Sequence, residues 1–394
     1  MMLSDRVQSV SASATIAIST RARQLQAEGV DVVSFAAGEP DFDTPECIKA
    51  AAKAALDAGD TKYNPRTGKA LLEAIAAKLA AENGLLVDVE QIVVTFGGKQ
   101  ALYDAFQATI NPGDKVLIPS PYWVSYPEMV KLAGGEPVFL RASTKAGFKI
   151  TPEQVLSAAS DAKVLVLNSP TNPTGVTYTR DELWAIAQAV LKTELMVFSD
   201  EIYEKLIYGD AAATCFAALD PALAERTVTI NGLAKTFSMT GWRLGWAAGP
   251  KDVIAAMRKV MSHETTNPVS FAQAGALAAY TDPRAAEAAA VMRAEFEKRG
   301  LHMAGRLDAI DGVTCLKPTG TFYCFPDVSS HYGRSIGGAE VTDSLSFAAA
   351  AMDHANVAVV PGVAFGEDKC VRLSFATGIA QIDKGIDRIE KLLE

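Results

Sequence analysis

Short apolar runs alternate with longer alanine-rich stretches through the middle of the chain. The apolar runs are rich in β-branched residues, which favours strands, and the stretches between them carry apolar residues at helical spacing. The predicted strands are residues 92–96, 115–118, 164–167, 195–198, 227–230 and 244–248. Strands that alternate with helices predict an α/β fold with a mostly parallel sheet covered by helices on both faces.

Two helical stretches stand out in this pattern. Residues 99–110 follow the first predicted strand directly, with apolar positions that recur every three or four residues. Residues 285–310 form a long stretch rich in Ala, Glu and Arg, and shorter mixed elements follow it. We therefore place a domain boundary near the start of this second helix.

The composition is that of an ordinary globular protein. The chain has 394 residues, of which 49% are hydrophobic and 21% charged, with a formal net charge of -9. A net negative charge without a dense basic block argues against nucleic-acid or anionic-membrane binding. We also expect no signal peptide and no membrane-spanning helix.

Neither the cysteines nor the histidines suggest a metal centre. The five cysteines are scattered and never spaced as Cys-x-x-Cys, so a disulfide framework or zinc site is not expected and a reducing cytoplasm is. The histidines form no recognisable catalytic or metal-binding set. The residues concerned are Cys47, Cys215, Cys315, Cys324, Cys370, His263, His302, His331 and His354.

The most informative segment contains Lys235, which follows the strand predicted at 227–230, with Arg243 eight residues further on. A lysine in a desolvated pocket loses its proton more easily and can attack a carbonyl to form an imine. The planar fork of an arginine binds oxyanions such as phosphate. An imine-forming lysine and a phosphate-binding arginine are what pyridoxal 5'-phosphate (PLP) requires.

Asp200 closes another predicted strand. A carboxylate buried there is costly unless it meets a positive partner, and a protonated pyridine nitrogen would be such a partner. Tyr203, three residues further on, could hydrogen-bond the ring hydroxyl oxygen. The alternative is an aspartate that caps the next helix, and for an isolated Asp that alternative is the commoner one.

Other candidates also lie near strand ends, where ligands of open α/β sheets bind. Gly98 opens a helix whose backbone N–H groups could bind phosphate, and Asn172 lies in a loop fixed by two prolines. Trp123 offers an aromatic plate to a flat cofactor, and Arg372 could clamp a carboxylate. Taken singly, these residues are explained as well by a tight turn, an Asn-Pro turn, a core tryptophan and an edge-strand arginine.

The order of these residues is more informative than any one of them. Asn172, Asp200, Tyr203, Lys235, Arg243 and Arg372 follow one another as in fold type I PLP enzymes. The chain closely resembles class I aminotransferases, specifically the bacterial-type aspartate aminotransferase branch. The resemblance covers essentially the whole chain and includes residues 13–15, 37–42, 62–63, 97–100, 121–127 and 239–243.

The resemblance implies a fold type I architecture. A large PLP-binding domain, residues 45–285, would contain the mostly parallel sheet. A smaller α+β domain would be discontinuous, built from residues 1–44 and 286–394 at both chain ends. The enzyme would be a homodimer with shared active sites.

The resemblance also implies how the cofactor ring is held. Lys235 would form the imine with PLP and later carry the proton between the substrate Cα and the cofactor. Asp200 would pair with the pyridinium nitrogen, Tyr203 and Asn172 would bond the phenolic oxygen, and Trp123 would stack on the ring. Lys235, Asp200 and Tyr203 are the implied catalytic residues.

The cofactor phosphate would be held at the other end of the site. Arg243 and the backbone amides of Gly98 and Lys99 are implied to bind it, and Tyr63 would reach the phosphate of the neighbouring subunit. Gly232 and Ala234 stand where other aminotransferases often carry serines. Phosphate binding is therefore expected to rely more on Arg243 and the helix terminus.

Substrate recognition follows from the same resemblance. Arg372 and the Gly38 backbone would take the α-carboxylate, and Lys99 would bind the distal carboxylate of aspartate or glutamate. A solvated lysine in the first helical turn is the alternative for Lys99. The implied substrate-binding residues are Ser13, Thr15, Gly38, Lys99, Trp123, Asn172 and Arg372.

The predicted reaction moves the amino group of L-aspartate to 2-oxoglutarate by a ping-pong mechanism. An aminotransferase of broader, aromatic or neutral specificity remains an alternative, as does a PLP-dependent C–S lyase. Some relatives carry Lys-Pro before the Ser-Ala-Thr segment and several of those use prephenate. Ser11-Ala12 replaces that pair here, which disfavours prephenate. A PLP-sensing transcription regulator would need a further DNA-binding domain, for which the resemblance leaves no room.

Overall fold

A computed structural model describes residues 3–63 and 65–394. Its α-helices are α1 (Asp5–Gln8), α2 (Ala14–Ala27), α3 (Glu46–Asp57), α4 (Pro65–Lys78), α5 (Gly98–Thr109), α6 (Ser125–Leu132), α7 (Pro152–Ala158), α8 (Arg180–Val190), α9 (Pro221–Ala224), α10 (Lys251–Glu264), α11 (Ser270–Thr281), α12 (Pro283–Asp308), α13 (Ser344–Ala355) and α14 (Ile379–Leu393). Its strands are β1 (Val33–Ser34), β2 (Ile92–Thr95), β3 (Lys115–Ser120), β4 (Glu136–Arg141), β5 (Val164–Asn168), β6 (Met196–Asp200), β7 (Thr227–Gly232), β8 (Gly245–Ala248), β9 (Tyr323–Cys324), β10 (Arg334–Ile336), β11 (Ala339–Val341), β12 (Val357–Ala358), β13 (Val360–Pro361) and β14 (Val371–Ser374).

The central sheet has seven strands in the order β2-β8-β7-β6-β5-β3-β4. All neighbouring pairs are parallel except those that involve β8, which runs antiparallel to both β2 and β7. The mostly parallel, helix-covered sheet is confirmed. Because β8 is reversed, its first residues lie at the edge where the other strands end.

Both faces of this sheet are covered, as its sequence pattern predicts. Val164 and Val166 of β5 pack into one core cluster, whereas Leu165 and Leu167 pack into another on the opposite face. Successive side chains of a strand point to opposite faces. A strand that is buried on both faces therefore needs a continuous apolar run rather than an alternating one.

One strand of the sheet was not predicted from the sequence pattern. The strand β4 lies at the sheet edge and pairs only with β3. Its ends, Glu136 and Arg141, are exposed, because an edge strand does not need apolar residues throughout. The two predicted helices are present with small shifts, as Gly98–Thr109 and Pro283–Asp308.

The two ends of the chain meet in a separate set of elements. The strand β1 pairs with β12 in parallel, and β14 lies between β13 and β9 in a three-stranded sheet. One core cluster joins Val33 and Phe35 to residues of α12, α13 and α14, and it also includes Tyr203. The division into domains 1–44 with 286–394 and 45–285 stays a prediction.

The sequence predicted no membrane span, no disulfide framework and no metal centre. Among the described residues, none of the helices has the length and apolar character that a membrane crossing needs. All five cysteines are free and buried. Within the same residues, no group of three or more His, Cys, Asp or Glu side chains is arranged to hold a metal ion.

Candidate active site

One cavity of about 410 Å³ opens at the edge where the strands of the central sheet end. The strands β2, β5, β6 and β7 end there, and the reversed strand β8 begins there. Of the site residues predicted from the sequence, those that line the cavity are Ser13, Thr15, Gly38, Gly98, Lys99, Trp123, Asn172, Asp200, Tyr203, Lys235, Arg243 and Arg372.

Asp200 is the last residue of β6 and is buried. Its Oδ2 accepts a hydrogen bond from the Tyr126 hydroxyl at 2.7 Å, and its Oδ1 accepts one from the Ile202 N–H at 3.3 Å. Within the described part of the chain, no Lys, Arg or His forms an ion pair with it. Burial raises the pKa of this carboxyl to about 6, although the Tyr126 hydrogen bond opposes the shift. The carboxylate therefore lacks a positive partner in the protein alone.

The alternative role of Asp200 as a helix cap is not what the structure shows. The Ile202 N–H bond belongs to a turn, and the next α-helix, α9, begins only at Pro221. The other hydrogen bond of the carboxylate comes from Tyr126, which is 74 positions away in the chain. A helix cap, in contrast, accepts from backbone N–H groups two or three residues further on.

Lys235 follows β7 by three residues and its amine points into the cavity. The amine donates a hydrogen bond to the Gly38 carbonyl and lies 5.8 Å from the centre of the Tyr203 ring and 5.4 Å from that of Phe322. Burial, and then the positive charge of Arg372, lower the pKa of the amine to about 8. Lys235 is thus far closer to its reactive neutral form at physiological pH than an ordinary lysine.

Arg372 lines the cavity from a buried strand. It lies on the middle strand β14 and is only 1% exposed, so the edge-strand explanation does not apply. Its guanidinium donates to the Asn172 Oδ1 at 3.0 Å and to the Ala36 carbonyl at 3.3 Å, and it lies 4.3 Å from the centre of the Tyr323 ring. Its buried Nε has no hydrogen-bond partner among the described residues. That nitrogen keeps a donor available for an anion.

Glycines bring Arg243 and the start of α5 together. Gly97 has a φ of +84°, and a Cβ on it would lie 2.9 Å from the Arg243 Nη2. A Cβ on Gly245 would collide with the backbone N of Gly98. Only glycine fits at such positions, and the result is a guanidinium beside a helix N-terminus, which is an anion-binding arrangement.

A close backbone contact also explains why position 232 carries a glycine. A Cβ on Gly232 would lie 2.8 Å from the Gly245 Cα. The close contact between β7 and β8 therefore leaves no room for a serine in this chain.

Lys99 and Trp123 form the outer side of the cavity. The Lys99 amine lies 4.9 Å from the centre of the Trp123 indole, and Trp123 meets the Tyr126 ring edge-on at 5.3 Å. Burial, and then the positive charge of Arg243, lower the pKa of the Lys99 amine. Lys99 therefore lines the cavity with a partly desolvated amine, although the residue as a whole is exposed.

Tyr63 is the one predicted site residue that does not line the cavity. It lies between α3 and α4, where its side chain is 75% exposed. Its predicted contact with a neighbouring subunit stays a prediction.

Several lining residues were not among the sequence candidates. Tyr126, on α6, bonds Asp200, and the Tyr323 hydroxyl lies 3.3 Å from that of Tyr203. Asn168 donates to the Asp200 carbonyl and accepts from the Asn172 N–H, both at 2.9 Å. Tyr126 stands within the 121–127 segment that carries the resemblance, but nothing local in that segment indicates its partner.

The chain matches a known protein family over most of its length. Residues 30–389 match the family described as aminotransferase class I and II. This match spans well over half of the chain. The chain belongs to this family.

Relatives that match over their full length have more specific names than the family. The chain is 46% identical to an aspartate aminotransferase of Geobacillus stearothermophilus, covering 100% of this chain and 99% of the relative. It is 47% identical to an aspartate/prephenate aminotransferase of Cereibacter sphaeroides, with 98% of each chain covered.

Solved structures show the same likeness. The aspartate aminotransferase of Rhizobium meliloti superposes with a TM-score of 0.95 at 35% identity, over 100% of this chain and 99% of that chain. The Thermus thermophilus aspartate aminotransferase with maleate gives 0.93 at 42% identity over 100% of both. The predicted family and fold are confirmed.

The lowered pKa of Lys235 predicts an unusual pH dependence for its chemical modification. In the apoprotein, acetic anhydride should acetylate Lys235 at a rate that is half-maximal near pH 8, because only the neutral amine reacts, the anhydride itself does not titrate, and the pKa of this amine is about 8 instead of 10.5. Peptide mass spectrometry would follow the reaction, with the exposed Lys317 as internal reference. Modification of Lys235 whose rate keeps rising up to pH 10 would contradict the lowered pKa.

Proposed function

We propose that this protein is a PLP-dependent aminotransferase that moves the amino group of L-aspartate to 2-oxoglutarate, giving oxaloacetate and L-glutamate by a ping-pong mechanism. The observation that carries the proposal is the presence of Asp200, Lys235, Arg372 and Lys99 in one cavity. Asp200, Arg372 and Lys99 have charges that the cofactor or substrate would complement, and Lys235 has an amine that can react.

The residues of the cavity fit PLP. Asp200 is a buried carboxylate without a cationic partner, which a pyridinium nitrogen would supply. The glycine-lined start of α5 and Arg243 fit a phosphate, while Trp123 offers a ring face and Tyr203 and Asn172 offer hydrogen bonds to a phenolic oxygen. When bound, PLP supplies an aldehyde that links to amines and a ring that withdraws electrons from the substrate Cα.

The protein's own groups would then hold the substrate and move its proton. Arg372, with Asn172 and the Gly38 backbone, orients the α-carboxylate. The neutral amine of Lys235 removes the proton from the substrate Cα, a task for which a lowered pKa is favourable. Tyr126 and Asn168 hold Asp200 in place, so that it stays ionised opposite a positive charge.

The dicarboxylate specificity rests on Lys99. Its desolvated amine at the cavity wall would bind the distal carboxylate, and Ser13 and Thr15 at the start of α2 would add hydroxyl groups. Relatives named aspartate aminotransferase, and a neighbouring structure determined with maleate, which is a four-carbon diacid, support this choice. The relative named aspartate/prephenate aminotransferase keeps broader specificity as an alternative.

We also propose a homodimer and a cytoplasmic location. The exposed side chain of Tyr63, which lies outside the cavity of its own chain, supports the proposal of a homodimer because a neighbouring subunit could reach it. The five free, buried cysteines suit a reducing compartment.

Replacing Lys235 tests the proposed chemistry. The wild-type holoenzyme should form oxaloacetate and L-glutamate from L-aspartate and 2-oxoglutarate in a coupled dehydrogenase assay. Lys235→Ala should reduce kcat by roughly 100- to 10,000-fold or more, because general base catalysis contributes about that much. Near-normal turnover by this variant would overturn the role of Lys235.

Replacing Lys99 tests the proposed specificity. Lys99→Gln should lower kcat/KM for L-aspartate by about tenfold or more, since a hydrogen bond to a charged group is worth about 1.5–3 kcal/mol. The value for L-alanine, which has no distal carboxylate, should change little. An equal loss for both donors would show that Lys99 does not recognise the distal carboxylate and would favour a neutral or aromatic substrate.

A further inference from the structure

The helix α2 faces the cavity with a polar stripe. Thr15, Ser19 and Arg23 lie four residues apart along it and all three line the cavity. The neighbouring stripe is apolar, where Ala22 is buried and Ile18 is partly buried in a core cluster. Packing of the apolar stripe therefore fixes which side of α2 faces the cavity.

Arg23 has no assigned task. Its side chain is exposed, and within the described residues it forms no hydrogen bond or ion pair. Of the two acidic residues that line the cavity, Glu39 accepts a hydrogen bond from Thr240 at 2.7 Å and Asp200 is bonded to Tyr126. Neither of them forms an ion pair with Arg23, so its guanidinium is available to an incoming anion.

The other cations of the cavity already have proposed partners. Arg243 serves the phosphate, Arg372 the α-carboxylate, Lys99 the distal carboxylate, and Lys235 the reacting carbon. The reaction pairs a four-carbon with a five-carbon diacid, so one site must accept distal carboxylates at two distances from Cα. The Lys99 amine lies against the Trp123 indole and is desolvated there, whereas the Arg23 guanidinium, two helical turns beyond Thr15 on α2, has no ring contact of that kind among the described residues. It is therefore a second, separate cation of the cavity.

We propose that Arg23 binds the distal carboxylate of the five-carbon substrate, L-glutamate or 2-oxoglutarate, at the mouth of the cavity. This role rests on the proposed function and deepens it. With the α-carboxylate fixed by Arg372, the additional methylene carries the distal carboxylate beyond Lys99 and toward α2. A long, flexible arginine with a bidentate fork suits that position.

Binding of unreactive diacids tests the proposal. Glutarate has five carbons and succinate four, and neither carries an amino or keto group, so calorimetry on the PLP-saturated protein measures binding alone. Arg23→Gln should weaken glutarate about fivefold, as expected for the upper range of a solvent-exposed ion pair, and succinate less than twofold. The difference should shrink at high salt because the pair is screened.

Arg21→Gln is the matched control. Arg21 is exposed on the same helix but lies about 160° around its axis from Arg23 and does not line the cavity. The Arg21→Gln variant should bind glutarate and succinate as the wild type does. Equal weakening of glutarate and succinate by Arg23→Gln, no weakening of glutarate, or the same loss in Arg21→Gln would each overturn the proposal.

Failure of this role is distinguishable from failure of the proposed function. Diacid binding is measured without turnover, whereas transamination of L-aspartate is measured separately on the wild type. A wild-type protein that binds both diacids but transfers no amino group would overturn the proposed function alone. A wild-type protein that binds neither diacid would overturn both.

Discussion

Buried charge without an internal counter-charge is the constraint on which this site depends. Asp200, Lys235 and Arg372 lie in one cavity, and in the described structure none of them forms an ion pair. Burying a charge is costly unless it is paired or hydrogen-bonded, so the fold holds each of them with neutral groups: Tyr126 for Asp200, the Gly38 carbonyl for Lys235, and the Ala36 carbonyl with Asn172 for Arg372. The protein thereby keeps its charges for ligands, and the raised pKa of Asp200 and the lowered pKa of Lys235 both follow from that arrangement.

The sheet topology explains how these groups meet. Asp200 is the last residue of β6 and Lys235 follows the end of the neighbouring parallel strand β7, so both lie at one edge of the sheet. Arg243 reaches the same edge from the opposite direction, because β8 runs antiparallel to its neighbours and Arg243 stands just before it. The close contact of Gly232, Gly245 and Gly98 lets β8 lie against the start of α5, so that a guanidinium and a helix N-terminus can serve one anion.

The sequence was most informative where a residue's role is local. The central strands were predicted because strands buried on both faces require apolar runs, and the candidates near their ends line the cavity. The exposed edge strand β4 escaped because its ends, Glu136 and Arg141, carry no burial signal. Tyr126 and Tyr323 were missed because their partners are far away in the sequence. The role proposed for Arg23 has no sequence signal, because an exposed arginine on a helix resembles any solvated one.

The most direct test of this account is an absorption spectrum of the purified protein, recorded before and after L-aspartate is added alone. The account predicts a visible band from the lysine-linked cofactor that shifts to the shorter-wavelength pyridoxamine form and returns when 2-oxoglutarate is added. A band that ignores L-aspartate but responds to a neutral amino acid would contradict the proposed specificity. The absence of any such band after incubation with PLP would contradict the proposal that this cavity holds the cofactor.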